Sequence, residues 1–192
     1  KVRLIEGAAN SYINSENANW LFEYEKDSIA GNMINAYKRL LEYNKLNDIL
    51  KSEKQYRNGL ISVSEYHRRM VYNSIYDDIN MNTFNYINAI FDNLLFRYPT
   101  SYEFNECKLM IDDNSTQILM GASGNCKYDV TTIICNSDEF YEGLVNWSFI
   151  TFLGREANVQ ERDELMNNLI TYNDYQRIQR IILSSDEYAH FD

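Results

Sequence analysis

Asp78-x-Asn80-x-Asn82 places oxygen ligands at the first three positions of a calcium-binding loop. The rest of the loop is defective: Thr83 stands where the sharp turn needs Gly, and Ala89 where a bidentate Glu belongs. The segment reads instead as a polar helix-to-helix turn with Asn82 or Thr83 as its cap. The two histidines, His67 and His190, lie in no His-Glu-x-x-His motif, and neither forms a local nucleophile signature with a cysteine. Cys107, Cys126 and Cys135 are odd in number and lack Cys-x-x-Cys spacing. Cys107 and Cys135 read as small buried hydrophobes, while a Cys126–Cys135 bridge stays open. Gly121-Ala122-Ser123-Gly124 is too short for a phosphate loop and lacks a following Lys. Asp77-Asp78 and Asp112-Asp113 are adjacent in sequence, so neither pair faces itself on a helix, and both read as solvated turn residues. The expectation is a chain with no catalytic residue, no metal and no cofactor.

Charge and composition narrow the partners. Eighteen Lys and Arg against 28 Asp and Glu give a net charge of -10, which repels phosphate backbones. The only basic run, His67-Arg68-Arg69, is flanked by Glu65 and Asp77, so no nucleic-acid partner is expected. No apolar run approaches the roughly 18 residues of a membrane helix, so no transmembrane segment is expected. Asn (24) and Tyr (16) are frequent, a composition common in extracytoplasmic proteins of AT-rich bacteria, and a chain starting at Lys1 reads as a processed or trimmed product. The expected location is therefore periplasmic, cell-surface or secreted.

The elements that must position these residues are helical. In 192 residues there are only seven Gly and one Pro, too few for the closely spaced turns of a β-sandwich or barrel. The expected fold class is all-α, with no sheet beyond an incidental pair of short strands. Ile29, Met33, Ala36, Tyr37, Leu40, Leu41 and Ile49-Leu50 recur at three- and four-residue steps, predicting one amphipathic helix over about 29–51 with Asp27 or Ser28 as cap. Asn58-Gly59 then reads as a helix-to-helix turn.

Beyond that turn the sequence matches itself. Phe91, Leu94, Leu95, Arg97 and Glu103 pair with Phe149, Phe152, Leu153, Arg155 and Glu161 at a constant offset of 58 residues. Ile133-Ile134-Cys135-Asn136-Ser137-Asp138-Glu139-Phe140 pairs with Ile181-Ile182-Leu183-Ser184-Ser185-Asp186-Glu187-Tyr188 at an offset of 48. The first copy thus carries about ten extra residues, most naturally within 112–127. A fainter ending, Met70 to Tyr76, precedes the first full copy. The layout expected is an N-terminal helical region over 1–59, packed on a tandem helical-repeat region over 60–192, with copies at about 84–141 and 142–192 and a degenerate third.

The repeated residues read as structural. Arg97 and Arg155 follow the end of a helix, bonded to carbonyls or to an acidic partner in their own copy. Thr100-x-x-Glu103 and Asn158-x-x-Glu161 are capping boxes, and Asn136-x-x-Glu139 and Ser184-x-x-Glu187 look like two more. Ser137 and Ser185 belong to the same ending, and Phe140 and Tyr188 should fold a ring onto the core.

A helix, then Phe152-Leu153-Gly154-Arg155-Glu156-Ala157, a capped second helix and Ser185-Asp186-Glu187-Tyr188 resembles the helical repeat of phycobilisome linker domains. It is also similar to a related bacterial domain of unknown function found in surface and secreted proteins. The earlier copy has Phe96 where Gly154 stands. The likeness covers about residues 60–192 and implies an all-helical, noncatalytic assembly module whose partner is another protein chain.

The insertion holds the remaining signal. Ile118, Leu119 and Met120 form an apolar tip in a polar, Gly-containing loop that the second copy lacks. Either a partner chain covers these residues or the tip folds back onto its own core. The leading expectation is thus an interaction module, a subunit or terminal domain of an extracytoplasmic bacterial complex, with these three as partner-binding residues. The alternative is an accessory small-molecule or carbohydrate-binding domain with Trp20 and Trp147 lining a cleft.

Overall fold

A computed structural model describes residues 2–190, with side chains from Asn10 onward. Lys1 lies outside the described residues. Within them the fold is all-α apart from one two-stranded hairpin. Helices α1 (Val2–Ile29) and α2 (Met33–Arg57) form a long hairpin, turned at Gly31 with φ 76°. The predicted helix over 29–51 is corrected to these bounds. Asp27 and Ser28 belong to the last turn of α1 rather than capping α2, and Asp27 accepts from Arg39 Nε at 2.7 Å. Asn32 holds the cap position with no side-chain bond. The two helices are joined by a polar contact in which Asn17 Nδ2 donates to Asn47 Oδ1 at 3.0 Å.

The core lies in the other helices: α3 (Val63–Val71), α4 (Ser74–Asn80), α5 (Thr83–Leu95), α6 (Ser101–Asp113), α7 (Lys127–Cys135), α8 (Asp138–Leu153), α9 (Val159–Tyr172), α10 (Tyr175–Leu183) and α11 (Asp186–Ala189). Apolar residues at helical spacing give α5 and α8 their inner stripes. Ile87, Ile90, Phe91 and Leu94 on α5 and Phe140, Val145 and Phe149 on α8 are all buried. Asn82 caps α5 by accepting from Asn85 N–H at 2.9 Å, so the calcium-like segment is the capped turn its defects implied. Helix α8 runs unbroken through the copy boundary drawn at 141/142. The start of α8 closes the first matched segment, and its end opens the second.

The ten extra residues fold as a hairpin. Strands β1 (Gln117–Leu119) and β2 (Ala122–Gly124) pair antiparallel, with Leu119 opposite Ala122. Met120 and Gly121 turn between them at φ 50° and 83°, the positive pair that a two-residue hairpin matching strand twist requires. Leu119 is fully buried among the core side chains. The α9–α10 turn also ties back to the end of α2 and the start of α3. Asn173, in left-handed conformation after α9, accepts from Val63 N–H at 2.6 Å and donates to the Ile61 carbonyl at 3.0 Å. Tyr175 N–H donates to Tyr56 Oη at 2.7 Å.

Candidate functional site

The residues that could do chemistry are held in two matching charge clamps. Helix α5 stops at Phe96 in left-handed conformation, and the chain then presents Arg97. Its Nη1 and Nη2 grip Glu103 at 2.9 and 2.7 Å, Nε and Nη2 grip Glu139, and Nη1 also donates to the Tyr98 carbonyl at 3.0 Å. All five guanidinium N–H groups are thereby used. Arg155, following Gly154 at the end of α8, grips Glu161 at 2.8 and 2.7 Å and Glu187 at 2.6 Å through both Nε and Nη2. Its Nη1 donates to the Glu156 carbonyl at 2.9 Å. The two guanidinium carbons lie 5.3 and 5.0 Å from the ring centres of Phe91 and Phe149.

Capping boxes position one carboxylate of each clamp. Thr100 Oγ1 and Asn158 Oδ1 accept from the N–H groups of Glu103 and Glu161, and each Glu returns to the cap's own N–H at 2.8 Å. The Arg97 hydrogen bonds hold the Glu103 carboxyl down to about 2, and Arg155 lowers Glu161 and Glu187. These carboxylates stay ionised at neutral pH with their charge committed to arginine, so they join helices and do not move protons.

The other two boxes are corrected by one residue. The caps are Ser137 and Ser185, which accept from Phe140 N–H and Tyr188 N–H, each at 3.2 Å. Each hydroxyl also donates backward, to the Ile134 and Ile182 carbonyls at 2.8 Å. Glu139 and Glu187 turn to the arginines instead of to a cap. Asn73 makes the same corner earlier: it accepts from Tyr76 N–H at 3.0 Å and donates to the Arg69 carbonyl at 2.9 Å. Ile75 stands there in the place of the clamp glutamate, and the nearby Arg68 and Arg69 pair with Glu65 instead. Phe140 is fully buried, with its ring 5.2 Å from that of His67 on α3. Tyr188 is corrected: it stays 41% exposed, because no helix of the described residues covers the α10–α11 corner as α3 covers the α7–α8 corner.

The predicted tip divides. Leu119 is corrected from partner-binding to core, Met120 packs partly buried against the core at the turn, and Ile118 alone stays half exposed. Tyr102 Oη pins the strand by donating to the Ile118 carbonyl at 3.0 Å. Burial pushes the Cys107 and Cys135 thiols up to about 12, which keeps them protonated. Cys126 and Cys135 stand at opposite ends of α7, about 13 Å apart along its axis, too far to bridge. His67 is packed against Tyr66 and Phe140, and desolvation lowers its pKa. Arg68 and Arg69 both pair with Glu65 at 2.7 Å, and so form no open basic patch. Asp77 and Asp112, read as solvated turn residues, sit on α4 and α6 and pair with Lys127 and Lys108. Among the described residues no three His, Cys, Asp or Glu side chains converge as metal ligands. No described helix is long and apolar enough to cross a membrane.

Trp20 and Trp147 do not share a cleft. Trp20 lines an open cavity of about 370 Å³ with Asn35, Lys38, Arg39, Leu41 and Glu42, while Trp147 lies apart on α8. Sequence reasoning missed an exposed apolar feature among the described residues, on the α1–α2 hairpin. Phe22, Ile29, Met33, Ile34, Tyr37 and Leu41 are exposed there, Ile29 at 89% and Ile34 at 73%. The apolar period was visible over 29–51, but a period marks a face without saying what covers it. Comparison with protein-family models, with curated proteins and with solved structures finds no match.

Proposed function

We propose that this chain is a noncatalytic protein-interaction or assembly module, built as two tandem helical units with a degenerate third, and that the α1–α2 hairpin is its docking surface. The observation that carries this reading is the exposed stripe Ile34, Tyr37 and Leu41 on α2. Positions i, i+3 and i+7 share one side of a helix, and an exposed apolar stripe is the usual signature of a partner surface. The Arg–Glu–Glu clamps support the module reading, because the strongest polar groups in the chain are committed to joining helices. The likeness of residues 60–192 to linker-type repeats and to secreted bacterial domains supports an assembly role outside the cytoplasm, as does the Asn- and Tyr-rich composition.

The Trp20 cavity favours a second reading, an accessory site for a small molecule or sugar, since an aromatic wall beside Lys38, Arg39 and Glu42 suits a polar ring. The test compares the wild type with a variant carrying Ile34→Ser, Tyr37→Ser and Leu41→Ser in capture from native membranes or culture supernatant, read by mass spectrometry. The module reading expects an unchanged melting temperature and loss of the captured chains. Equal capture by both proteins contradicts it. Saturable sugar binding that disappears with Trp20→Ala would favour the cavity.

A further inference from the structure

The hairpin has a chemical counterpart at the other end of the same chain. Residues 1–59 hold nine Lys and Arg against eight Asp and Glu, so they carry +1, whereas residues 60–192 carry nine against 20, or -11. Within the hairpin, α2 alone has six basic residues and three acidic ones. Lys38 is exposed on it beside Ile34, Tyr37 and Leu41, while Lys51 and Lys54 are exposed further along the helix. Residues 142–192 hold four basic residues and nine acidic ones, or -5.

That acidic end contains an apolar notch of about 160 Å³ between α8, α9, α10 and α11. Phe149, Leu153, Leu165 and Ile181 line it, and Glu161, Glu164 and Glu187 rim it. One arginine is shared by Glu161 and Glu187, so the rim keeps a net negative charge with Glu164 added. The matched positions of the first segment are covered: Cys135 and Phe140 are fully buried, the latter under α3 of the N-terminal half. Their counterparts Leu183 and Tyr188 are 39% and 41% exposed. Among the described residues, then, α3 covers one Ser-capped corner and no helix covers the second in the same way.

Resting on the reading of the hairpin as a docking surface, we infer that its partner is a second copy of this chain. The apolar stripe of α2, with Lys38 beside it, seats on the acidic-rimmed notch and the α10–α11 corner of the next molecule. Apolar side chains at Tyr37 and Leu41 meet the notch, and Lys38 meets Glu164. This contact joins two different surfaces, so it propagates head to tail into rings or open chains.

The experiment is sedimentation velocity over a concentration series with the full chain and two blocked variants, Tyr37→Glu/Leu41→Glu and Ile181→Glu/Leu183→Glu, each checked for native helicity by circular dichroism. Wild type should form oligomers that grow with concentration and weaken in high salt. Each blocked variant alone should be monomeric, and their equal mixture should stop at a dimer, because one good hairpin and one good notch remain. Glu164→Lys should weaken wild-type association roughly tenfold, and Lys38→Glu in the same chain should restore it. A notch-blocked variant that still dimerises alone would mean hairpin-to-hairpin pairing and overturn the head-to-tail contact while keeping the hairpin as a docking surface. A wild type that stays monomeric throughout overturns self-association and leaves the hairpin reading to the capture test. Association by the hairpin-blocked variant as strong as wild type overturns both.

Discussion

Arg97 reaches Glu139 across 42 residues, whereas Arg155 reaches Glu187 across 32. The difference of ten is the length of the β-hairpin insertion. The hairpin therefore lengthens the path between the arms of the first clamp without moving either arm. It can do so because α6 and α7 keep their places and only their connection changes, with Leu119 anchored in the core.

Replacing Arg97 by Lys should lower stability by about 1–2 kcal/mol in urea denaturation. One ammonium cannot hold two carboxylates in the planar geometry a guanidinium provides. Arg155→Lys should cost about half as much or less, because its partners Glu161 and Glu187 are 29% and 44% exposed against 13% and 34% for Glu103 and Glu139. Equal costs, or none, would show that the clamps are incidental.

Acid should weaken the fold through the same groups. The Arg97 bonds hold Glu103 at about 2 in the folded chain, below the ordinary glutamate value of 4.5. A carboxylate depressed on folding contributes stability that is present above its unfolded value and lost as pH falls through its folded one. Stability should therefore decline between about pH 4.5 and pH 2, and Glu103→Gln should lower neutral-pH stability while flattening that decline. An unaltered pH profile in the variant, measured by denaturation at each pH, would contradict the assignment.

The cap register gives a sharper local test. Ser137→Ala should cost about 1 kcal/mol, since the hydroxyl bonds the end of α7 and the start of α8 together. Asn136→Ala should change stability by less than about 0.5 kcal/mol, because its side chain only returns to the Thr132 carbonyl on its own helix. The reverse order would restore the register the sequence suggested.

Within the insertion, Leu119→Ala should cost about 2–4 kcal/mol and Ile118→Ser less than about 0.5 kcal/mol, read from thermal and urea melts. The fully buried Leu119 leaves a cavity, while the half-exposed Ile118 does not. Similar losses at both positions would mean that the tip is packed as a whole.

What could be read from the residues follows the range of the physics involved. The Thr100 and Asn158 boxes were legible because both halves of each bond lie three residues apart. At Asn136 and Ser184 the same spacing misled, because Glu139 and Glu187 answer to arginines far away in the chain, and no local pattern carries that competition. Arg97 and Arg155 were legible as equivalent positions from their shared offset, but their two-carboxylate grip needed the folded chain. Phe96 takes the left-handed conformation that Gly154 takes in the second segment, at φ 58° and 67°. Its ring packs so close to Gly143 that a side-chain carbon there would meet it at 2.9 Å, a long-range reason for a local exception. Asn173 is the hardest case: its left-handed turn is a common helix ending, yet its reach to Val63 across 110 residues has no trace in the sequence.

On the proposed reading, the α1–α2 hairpin is where this chain meets another protein chain. Zero-length amine-to-carboxyl cross-linking of the native assembly, mapped by mass spectrometry, tests it most directly, because α2 carries exposed lysines while residues 142–192 carry carboxylates and no lysine. Intermolecular links should concentrate on Lys38, Lys51 and Lys54, with Lys108 and Lys127 linking within the chain. Intermolecular links confined to Lys108 and Lys127, with the α2 lysines linked only internally, would contradict the account.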